Sequence, residues 1–164
     1  MQVKEIIKKL LVSAIELKAS DIFFFPKKES VVVDYRTHSG VIRQRSYSLS
    51  EGQEIINFFK YSAQMDIAEH RRPQVGAMIY SLGEKEYYLR LSSLGDFTDQ
   101  ESLVIRIIYG IENSKYFFDE QFIKLEKLAT KRGLIVTSGP TGSGKTTTMY
   151  EIAKKLSENR IVMT

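Results

Sequence analysis

The chain has 164 residues, of which 43% are hydrophobic and 27% charged, and its net charge is +4. With no cysteine and only two histidines, it offers no disulfide framework, no thiol nucleophile and no His-rich or Cys-based metal site. No apolar run approaches the ~20 residues that cross a bilayer, charges interrupt the first eighteen residues unlike a signal peptide, and the basic residues are scattered. We therefore expect a cytoplasmic protein that makes no direct contact with nucleic acid.

Residues 1–110 are predicted to form an α+β domain. Apolar residues at helical spacing predict a helix over 2–18, and a second helix is predicted to begin at Ser50, with Gln53 completing a capping box. Period-2 alternation and turn residues predict six strands: Asp21–Phe25, Val31–Tyr35, Val41–Ser46, Gln74–Ser81, Lys85–Ser92 and Glu101–Ile108. The order helix, three strands, helix, three strands indicates a mostly antiparallel sheet.

The sequence changes character after Tyr109. Gly110 and the polar residues after it indicate a linker at 111–116, and residues 117–164 are predicted to start a parallel α/β domain. A helix is expected over 119–131 and a strand over 134–137. The side chains expected to face inward from that helix are Phe122, Ile123, Leu125, Leu128 and Ala129.

A phosphate-binding loop follows the strand predicted at 134–137. The residues G-P-T-G-S-G-K-T fit the Walker A pattern G-x-x-x-x-G-K-[ST] in full, and a helical pattern comes after them. Lys145 is expected to reach the β- and γ-phosphates of ATP, and Thr146 to offer its hydroxyl to Mg²⁺. The strand–loop–helix context makes an accidental glycine-rich turn the weaker reading. The predicted nucleotide-binding residues are Gly139, Pro140, Thr141, Gly142, Ser143, Gly144, Lys145, Thr146 and Thr147.

The sequence ends nineteen residues after Lys145. Phosphate-loop enzymes also need an acidic residue for Mg²⁺ and a residue that positions water, usually downstream. Residues 161–164 have the pattern of the first half of a second buried strand. We therefore expect the front part of a longer protein, with a nucleotide site but without a complete catalyst.

Five segments, in order, resemble the traffic ATPases of type II secretion and type IV pili. They are Ala19–Ile22, Asp66–Gly76, Leu89–Ser93, Glu101–Ile107 and Gly139–Thr148. Within that family the likeness is strongest to the competence-pilus ATPases of Gram-positive bacteria, through Leu91–Phe97 and Glu101–Arg106. The sequence departs from the family at Phe23, where many relatives have His, and at Gln100, where Gly is usual.

The resemblance implies a PAS-like N-terminal domain followed by the truncated start of a RecA-like ATPase domain. It also implies a homohexamer at the cytoplasmic face of the membrane, where ATP hydrolysis drives assembly of a competence or type IV-like pilus for DNA uptake, with an inner-membrane platform protein as partner. The family's Walker B and acidic catalytic segments have no counterpart in these 164 residues. The alternative function is a non-hydrolysing nucleotide-binding or assembly module.

Strand alternation allows Arg90 and Arg106 to project from one face of the sheet if their strands are neighbours. The resemblance implies that both act catalytically near the γ-phosphate, where a planar guanidinium stabilises charge on phosphoryl oxygens. The alternative is that each is a solvated surface cation. Arg71–Arg72 is read mainly as a solvated turn, Asp21 as a turn residue and His70 as a surface residue.

Overall fold

The structure is a computed structural model that describes residues 3–96, 98–110, 119–140 and 143–163. The chain divides into two compact units, Met1–Tyr109 and Gly110–Thr164. The residues of the expected linker at 111–116 lie outside the described residues.

The first unit contains two helices and six strands. Their bounds are α1 Val3–Glu16, β1 Asp21–Pro26, β2 Ser30–Thr37, β3 Gly40–Ser48, α2 Leu49–Ser62, β4 Gln74–Leu82, β5 Lys85–Gly95 and β6 Glu101–Ile108. Every strand predicted from the alternation is present, and all but β6 are one to three residues longer than predicted. The predicted order of helices and strands is confirmed.

The six strands form one sheet in the order β3-β2-β1-β6-β5-β4, and all five ladders are antiparallel. This confirms the predicted antiparallel α+β architecture. The long connection from β3 through α2 to β4 carries the chain across to the far edge, so that β6 returns to lie beside β1. That return brings residues of β1 next to residues some 85 positions later in the sequence.

Alternate residues of the central strands build the core with α1 and α2. Leu11, Ile22, Phe24, Phe59 and Leu103 are fully buried in a single cluster that draws on both helices and on the sheet. The Tyr35 hydroxyl donates a hydrogen bond to the Leu10 carbonyl oxygen at 2.7 Å, which ties β2 to α1. Burial raises the pKa of Tyr35 well above its usual range, so it stays neutral in the core.

Helix α2 begins at Leu49, one residue before the predicted start at Ser50, and its N-cap lies two residues before the predicted capping residue. Ser48 is the N-cap: its hydroxyl accepts from the backbone N–H of Glu51, and the Glu51 carboxylate accepts from the backbone N–H of Ser48. The capping box is therefore Ser48–Glu51, and the prediction of Ser50–Gln53 was wrong. Hydrogen bonds to Ser48 lower the pKa of Glu51.

A lysine is fully buried between α2 and the sheet. The Lys60 ammonium donates to both carboxylate oxygens of Glu101, at 2.8 and 3.0 Å, and to the Glu69 carbonyl oxygen at 2.7 Å. Neither the Lys60 nor the Glu101 side chain is exposed to solvent. These bonds use all three donors of the ammonium and join α2, β6 and the segment that precedes β4.

The second unit contains α3, Asp119–Ala129, and α4, Lys145–Ser157. Ile123 and Leu128 are exposed, so the prediction that they face inward was wrong. Residues 134–137 and 161–163, predicted as strands, form no ladder in the part of the chain that the structure describes. A strand is defined by its hydrogen bonds to a neighbouring strand, and a run of apolar residues alone does not provide that neighbour.

No helix within the described ranges is both long and apolar enough to cross a membrane.

Candidate nucleotide loop and arginine pair

The loop before α4 is shaped by two glycines at positive φ. Gly139 has φ 153°, and a Cβ at this position would lie 2.8 Å from the Ser143 hydroxyl oxygen. Gly144 has φ 83° and is the N-cap of α4. Both positions favour glycine because L side chains rarely adopt such a conformation. Thr141 and Gly142, also predicted to bind nucleotide, lie outside the described residues.

The first turn of α4 presents its backbone amides without a capping side chain. Glycine at the N-cap has no side chain that could accept from these N–H groups. The Thr148 N–H and hydroxyl both donate to the Gly144 carbonyl oxygen, at 2.9 Å each, and so begin the helical ladder. Uncapped amides and the positive end of the helix dipole favour an anion at this point.

Lys145 and Thr146 lie at the start of α4, beside this N-terminus. The Lys145 ammonium donates to the Pro140 carbonyl oxygen at 2.7 Å, so the side chain points back toward Pro140. Thr146 is exposed, and Lys145 and Thr147 are half-buried. The structure therefore brings the ammonium, the exposed Thr146 side chain and the uncapped amides together at the end of one helix.

The described residues contain no group of three or more His, Asp or Glu side chains that could hold a metal ion by themselves. A divalent cation here would depend on oxygens from elsewhere, and Thr146 supplies the hydroxyl that the motif assigns to Mg²⁺. The donor type fits Mg²⁺, which is bound by oxygen and commonly shared with nucleotide phosphates.

In the first unit, Arg90 and Arg106 are direct cross-strand partners in the β5–β6 ladder. The prediction that they project from one face of the sheet is therefore confirmed. Like charges placed directly opposite each other are destabilising, so the pair calls for a compensating anion. That the arginines contact nucleotide stays a prediction.

Asp21 provides part of that compensation. The Arg106 Nε donates to its Oδ1 at 2.9 Å, and the Ser20 hydroxyl donates to Oδ2 at 2.9 Å. Asp21 is 3% exposed, whereas the Arg106 side chain is 63% exposed. The reading of Asp21 as a turn residue was wrong: it lies in β1, opposite Arg106 in the ladder, because β6 returns beside β1.

Arg90 differs from Arg106 in its surroundings. It is exposed and forms no ion pair with any residue in the described ranges. Its partner across the β4–β5 ladder is Ala77, which has no charge to offer. Of the two arginines, Arg90 is thus the one with its full hydrogen-bonding capacity available to an external anion.

Ion pairs hold the segment that precedes β4, and one of them, Arg71–Asp99, joins it to the connection between β5 and β6. The Arg71 guanidinium donates to Asp99, with Nη2–Oδ2 at 3.1 Å, and Arg72 lies 3.6 Å from Glu69. Both arginines are largely exposed, in agreement with the solvated-turn reading. The hydrogen bond from Arg71 lowers the pKa of Asp99, and backbone N–H groups of Arg71 and Arg72 lower that of Glu69.

His70, predicted to be a surface residue, is half-buried. Its Nδ1 lies 3.5 Å from Oε2 of Glu101 and has no hydrogen-bond partner among the described residues. Its carbonyl oxygen lies against Gly95, where a Cβ would come within 1.7 Å of it. The Lys60–Glu101 pair beneath was missed by the sequence analysis, because its two residues are forty-one positions apart.

Comparison with known proteins places these features in a family. Residues 1–164 match the family described as type II/IV secretion system protein. The chain is 36% identical over 161 residues to competence protein ComGA of Streptococcus pneumoniae, covering 98% of this chain and 51% of that protein. It is 34% identical over 152 residues to the type IV pilus assembly ATPase PilB of Acinetobacter baylyi, covering 88% of this chain and 26% of that protein.

Among solved structures, the chain resembles the ATPase DotB of Legionella pneumophila. The TM-score is 0.68 at 20% sequence identity, and the match covers 92% of this chain and 42% of that one. This similarity supports the fold. The chain spans about half the length of the curated competence relatives it matches. It belongs to the type II/IV secretion system protein family.

Proposed function

We propose that the chain is the nucleotide-binding part of a motor ATPase that powers assembly of a competence or type IV-like pilus for DNA uptake. The observation that carries the proposal is the complete Walker A loop in a chain similar along nearly its whole length to competence and pilus-assembly proteins. In this proposal residues 1–110, which include the whole first unit, form the PAS-like domain. Residues 117–164 begin the RecA-like domain.

ATP is proposed to bind at the start of α4. The uncapped amides of the first turn donate hydrogen bonds to phosphate oxygens, and the Lys145 ammonium exchanges the Pro140 carbonyl oxygen for the β- and γ-phosphates. The Thr146 hydroxyl holds Mg²⁺, which when bound neutralises charge on the phosphates.

Arg90 and Arg106 are proposed to stabilise the γ-phosphate. Asp21 holds Arg106 through Nε and leaves its terminal nitrogens for the ligand. Arg90, which has no ion-pair partner within the described ranges, would bind through all its donors. The bound γ-phosphate would offset the repulsion between the two arginines, which lie directly opposite each other in the ladder.

The proposed assembly is a homohexamer at the cytoplasmic face of the membrane, where it works with an inner-membrane platform protein. These statements rest on the resemblance to the family. The complete protein would supply the Walker B strand and the acidic catalytic residue.

Titration with a fluorescent ATP analogue in the presence of Mg²⁺ tests the binding site. We expect the 164-residue chain to bind and Lys145→Ala to lose at least about tenfold in affinity, because a charge-assisted contact to phosphate is removed. Lys154→Ala is the matched control: it removes a lysine from the last turn of the same helix and should leave the affinity unchanged. Equal affinity of wild type and Lys145→Ala would refute the site.

Phosphate release separates the motor from the non-hydrolysing module. We expect the 164-residue chain to bind nucleotide without turnover above the Lys145→Ala background, and the full-length protein to hydrolyse ATP. A full-length protein that binds ATP but releases no phosphate favours the module.

A further inference from the structure

Asp21 lies between two arginines in the sheet of the first unit. Its partner across the β1–β6 ladder is Arg106, and its partner across the β1–β2 ladder is Arg36. Side chains of directly opposed residues on neighbouring strands are close enough to interact. One buried carboxylate is therefore within range of two guanidinium groups, and the arginine that it binds is the one held in place.

The carboxylate binds Arg106 and not Arg36. Its Oδ1 accepts from the Arg106 Nε at 2.9 Å, and its Oδ2 accepts from the Ser20 hydroxyl at 2.9 Å. Arg36 forms no ion pair within the described ranges. Its guanidinium carbon lies 5.2 Å from the ring centroid of Phe23, two residues along β1 from Asp21. Both carboxylate oxygens thus have donors, and Arg36 has a different partner.

The Phe23 ring is ordered by a neighbour on the same strand. Phe23 and Phe25 share a face of β1, and their rings stack with centroids 5.5 Å apart and planes 9° apart. The face of an aromatic ring carries a negative potential that attracts a guanidinium group. Phe23 therefore supplies Arg36 with an interaction that Asp21 would otherwise provide.

The end of β1 that carries this carboxylate is held from both neighbouring strands. The Ser20 N–H donates to the Arg36 carbonyl oxygen at 2.8 Å, and the Ile107 N–H donates to the Ser20 carbonyl oxygen at 2.9 Å. The Tyr109 hydroxyl donates to the Ala19 carbonyl oxygen at 2.8 Å. A carboxylate on a backbone fixed in this way holds its arginine in a defined geometry.

The bond to Asp21 uses one edge of the Arg106 guanidinium and leaves the other. Nε is the donor, so the two terminal nitrogens are left without a side-chain acceptor among the described residues. The Arg106 side chain is 63% exposed. Terminal guanidinium nitrogens bind phosphate oxygens in pairs, and a side chain that is already ordered loses less conformational freedom when a ligand binds.

We propose that Asp21 is a positioning residue for Arg106, and that Phe23 maintains this arrangement by keeping Arg36 away from the same carboxylate. The inference rests on the proposed function, in which Arg106 binds the γ-phosphate. Asp21 acts through Arg106, so its contribution is present for a nucleotide with a γ-phosphate and absent for one without it.

Calorimetric titration of the full-length protein with ADP and with a non-hydrolysable ATP analogue, both with Mg²⁺, tests the role of Asp21. We expect Asp21→Ala to weaken binding of the analogue by about tenfold and to leave the affinity for ADP unchanged. Asp21→Asn keeps an acceptor oxygen for Arg106 and should recover most of the loss. In an Arg106→Ala background, Asp21→Ala should have no further effect, because the two residues act as one unit.

Asp34 provides the matched control. It accepts from the Arg43 Nε at 3.1 Å in the same sheet, so Asp34→Ala breaks the same kind of ion pair and should leave both affinities unchanged. If Arg106→Ala weakens binding of the analogue and Asp21→Ala does not, the positioning role is overturned while the proposed function stands. If Arg106→Ala binds the analogue as wild type does, both are overturned. Equal losses for ADP and the analogue in Asp21→Ala would make Asp21 merely structural and also overturn the inference.

A second set of variants tests the role of Phe23. Phe23→Leu keeps an apolar side chain but removes the ring that holds Arg36, which then competes with Arg106 for Asp21. We expect the affinity for the ATP analogue to fall by about fivefold, and Arg36→Gln in the same chain to restore it. No effect of Phe23→Leu, or an effect that Arg36→Gln does not reverse, overturns the part assigned to Phe23.

Discussion

The two units of the chain bury their apolar side chains to very different degrees. In the first unit, residues from both helices and most strands form a single core, and Leu103 and Ile105 are fully buried. In the second, Ile152 is the one buried apolar residue among those described, while Leu134 and Ile161 are 87% and 97% exposed.

The first unit has six paired strands, whereas no strand occurs among the described residues of the second unit. Antiparallel neighbours such as β2 and β3 or β4 and β5 are joined by tight turns, so each strand finds its partner close in sequence. A parallel strand needs a crossover of a dozen or more residues to reach its partner, and its two faces are covered by helices. Antiparallel neighbours can therefore pair over a shorter stretch of chain than parallel ones.

Breaking the buried Lys60–Glu101 pair should have the largest effect on the first unit. Lys60→Met leaves the Glu101 carboxylate buried without its partner, and we expect a loss of about 3–5 kcal/mol in the free energy of unfolding. Urea unfolding followed by circular dichroism measures it. The double variant Lys60→Met with Glu101→Leu removes both charges and should recover most of the loss; a single variant as stable as wild type would contradict the assignment.

A matched pair of leucine truncations tests the comparison directly. Leu103→Ala creates a cavity in the core of the first unit, and we expect a cost of about 2–5 kcal/mol. Leu134→Ala removes the same atoms from an exposed site, and its effect should stay within about 0.5 kcal/mol. Similar costs for the two variants would show that residue 134 is packed as well as the core.

Removing the cap of α2 should have a smaller effect. Ser48→Ala takes away the hydroxyl that accepts from the Glu51 amide, and we expect a loss of about 1 kcal/mol. Ser50→Ala tests the alternative capping box, Ser50–Gln53, and should lower the free energy of unfolding by less than Ser48→Ala. Thermal unfolding distinguishes the two variants. A larger loss of stability for Ser50→Ala would show that Ser50, as predicted from the sequence, is the N-cap.

Acid should weaken the Arg71–Asp99 ion pair that holds the segment before β4. Of the predicted effects on stability, this one should be the smallest. The pKa of Asp99 is lowered by Arg71 in the folded chain, so its contribution to stability is present above the ordinary value of 3.8. It is lost as the pH falls from there through the lowered folded pKa. Unfolding free energies measured across this range in wild type and Arg71→Ala should converge at the acidic end; parallel curves would contradict the linkage.

The strands of the first unit could be predicted because their signals are local. Alternation of apolar residues and the turn residues between them located all six strands. The cap of α2 was harder, because Ser48–Glu51 and Ser50–Gln53 both fit the capping-box pattern. Which serine caps the helix depends on the residue at which β3 ends, and the capping-box pattern gives no information about that residue.

The ionic contacts were harder still, because their partners are far apart in the chain. Asp21 meets Arg106, and Lys60 meets Glu101, only after the sheet has assembled. Residues 134–137 have the apolar pattern of a strand. A strand also requires hydrogen bonds to a neighbouring strand, and the sequence pattern does not show whether that neighbour is present. In the loop, Lys145 and Thr146 could be assigned from the motif alone, whereas the contact with Pro140 required coordinates.

The buried Lys60 also bears on how the first unit folds. Its ammonium is satisfied only when α2, β6 and the carbonyl of Glu69 are all in place, since each supplies part of its hydrogen bonding. A partly folded chain that excluded water from this site before all three arrived would hold an uncompensated charge, which is costly. Intermediates of that kind are disfavoured, so we expect α2, β6 and the segment at Glu69 to form together in one cooperative transition.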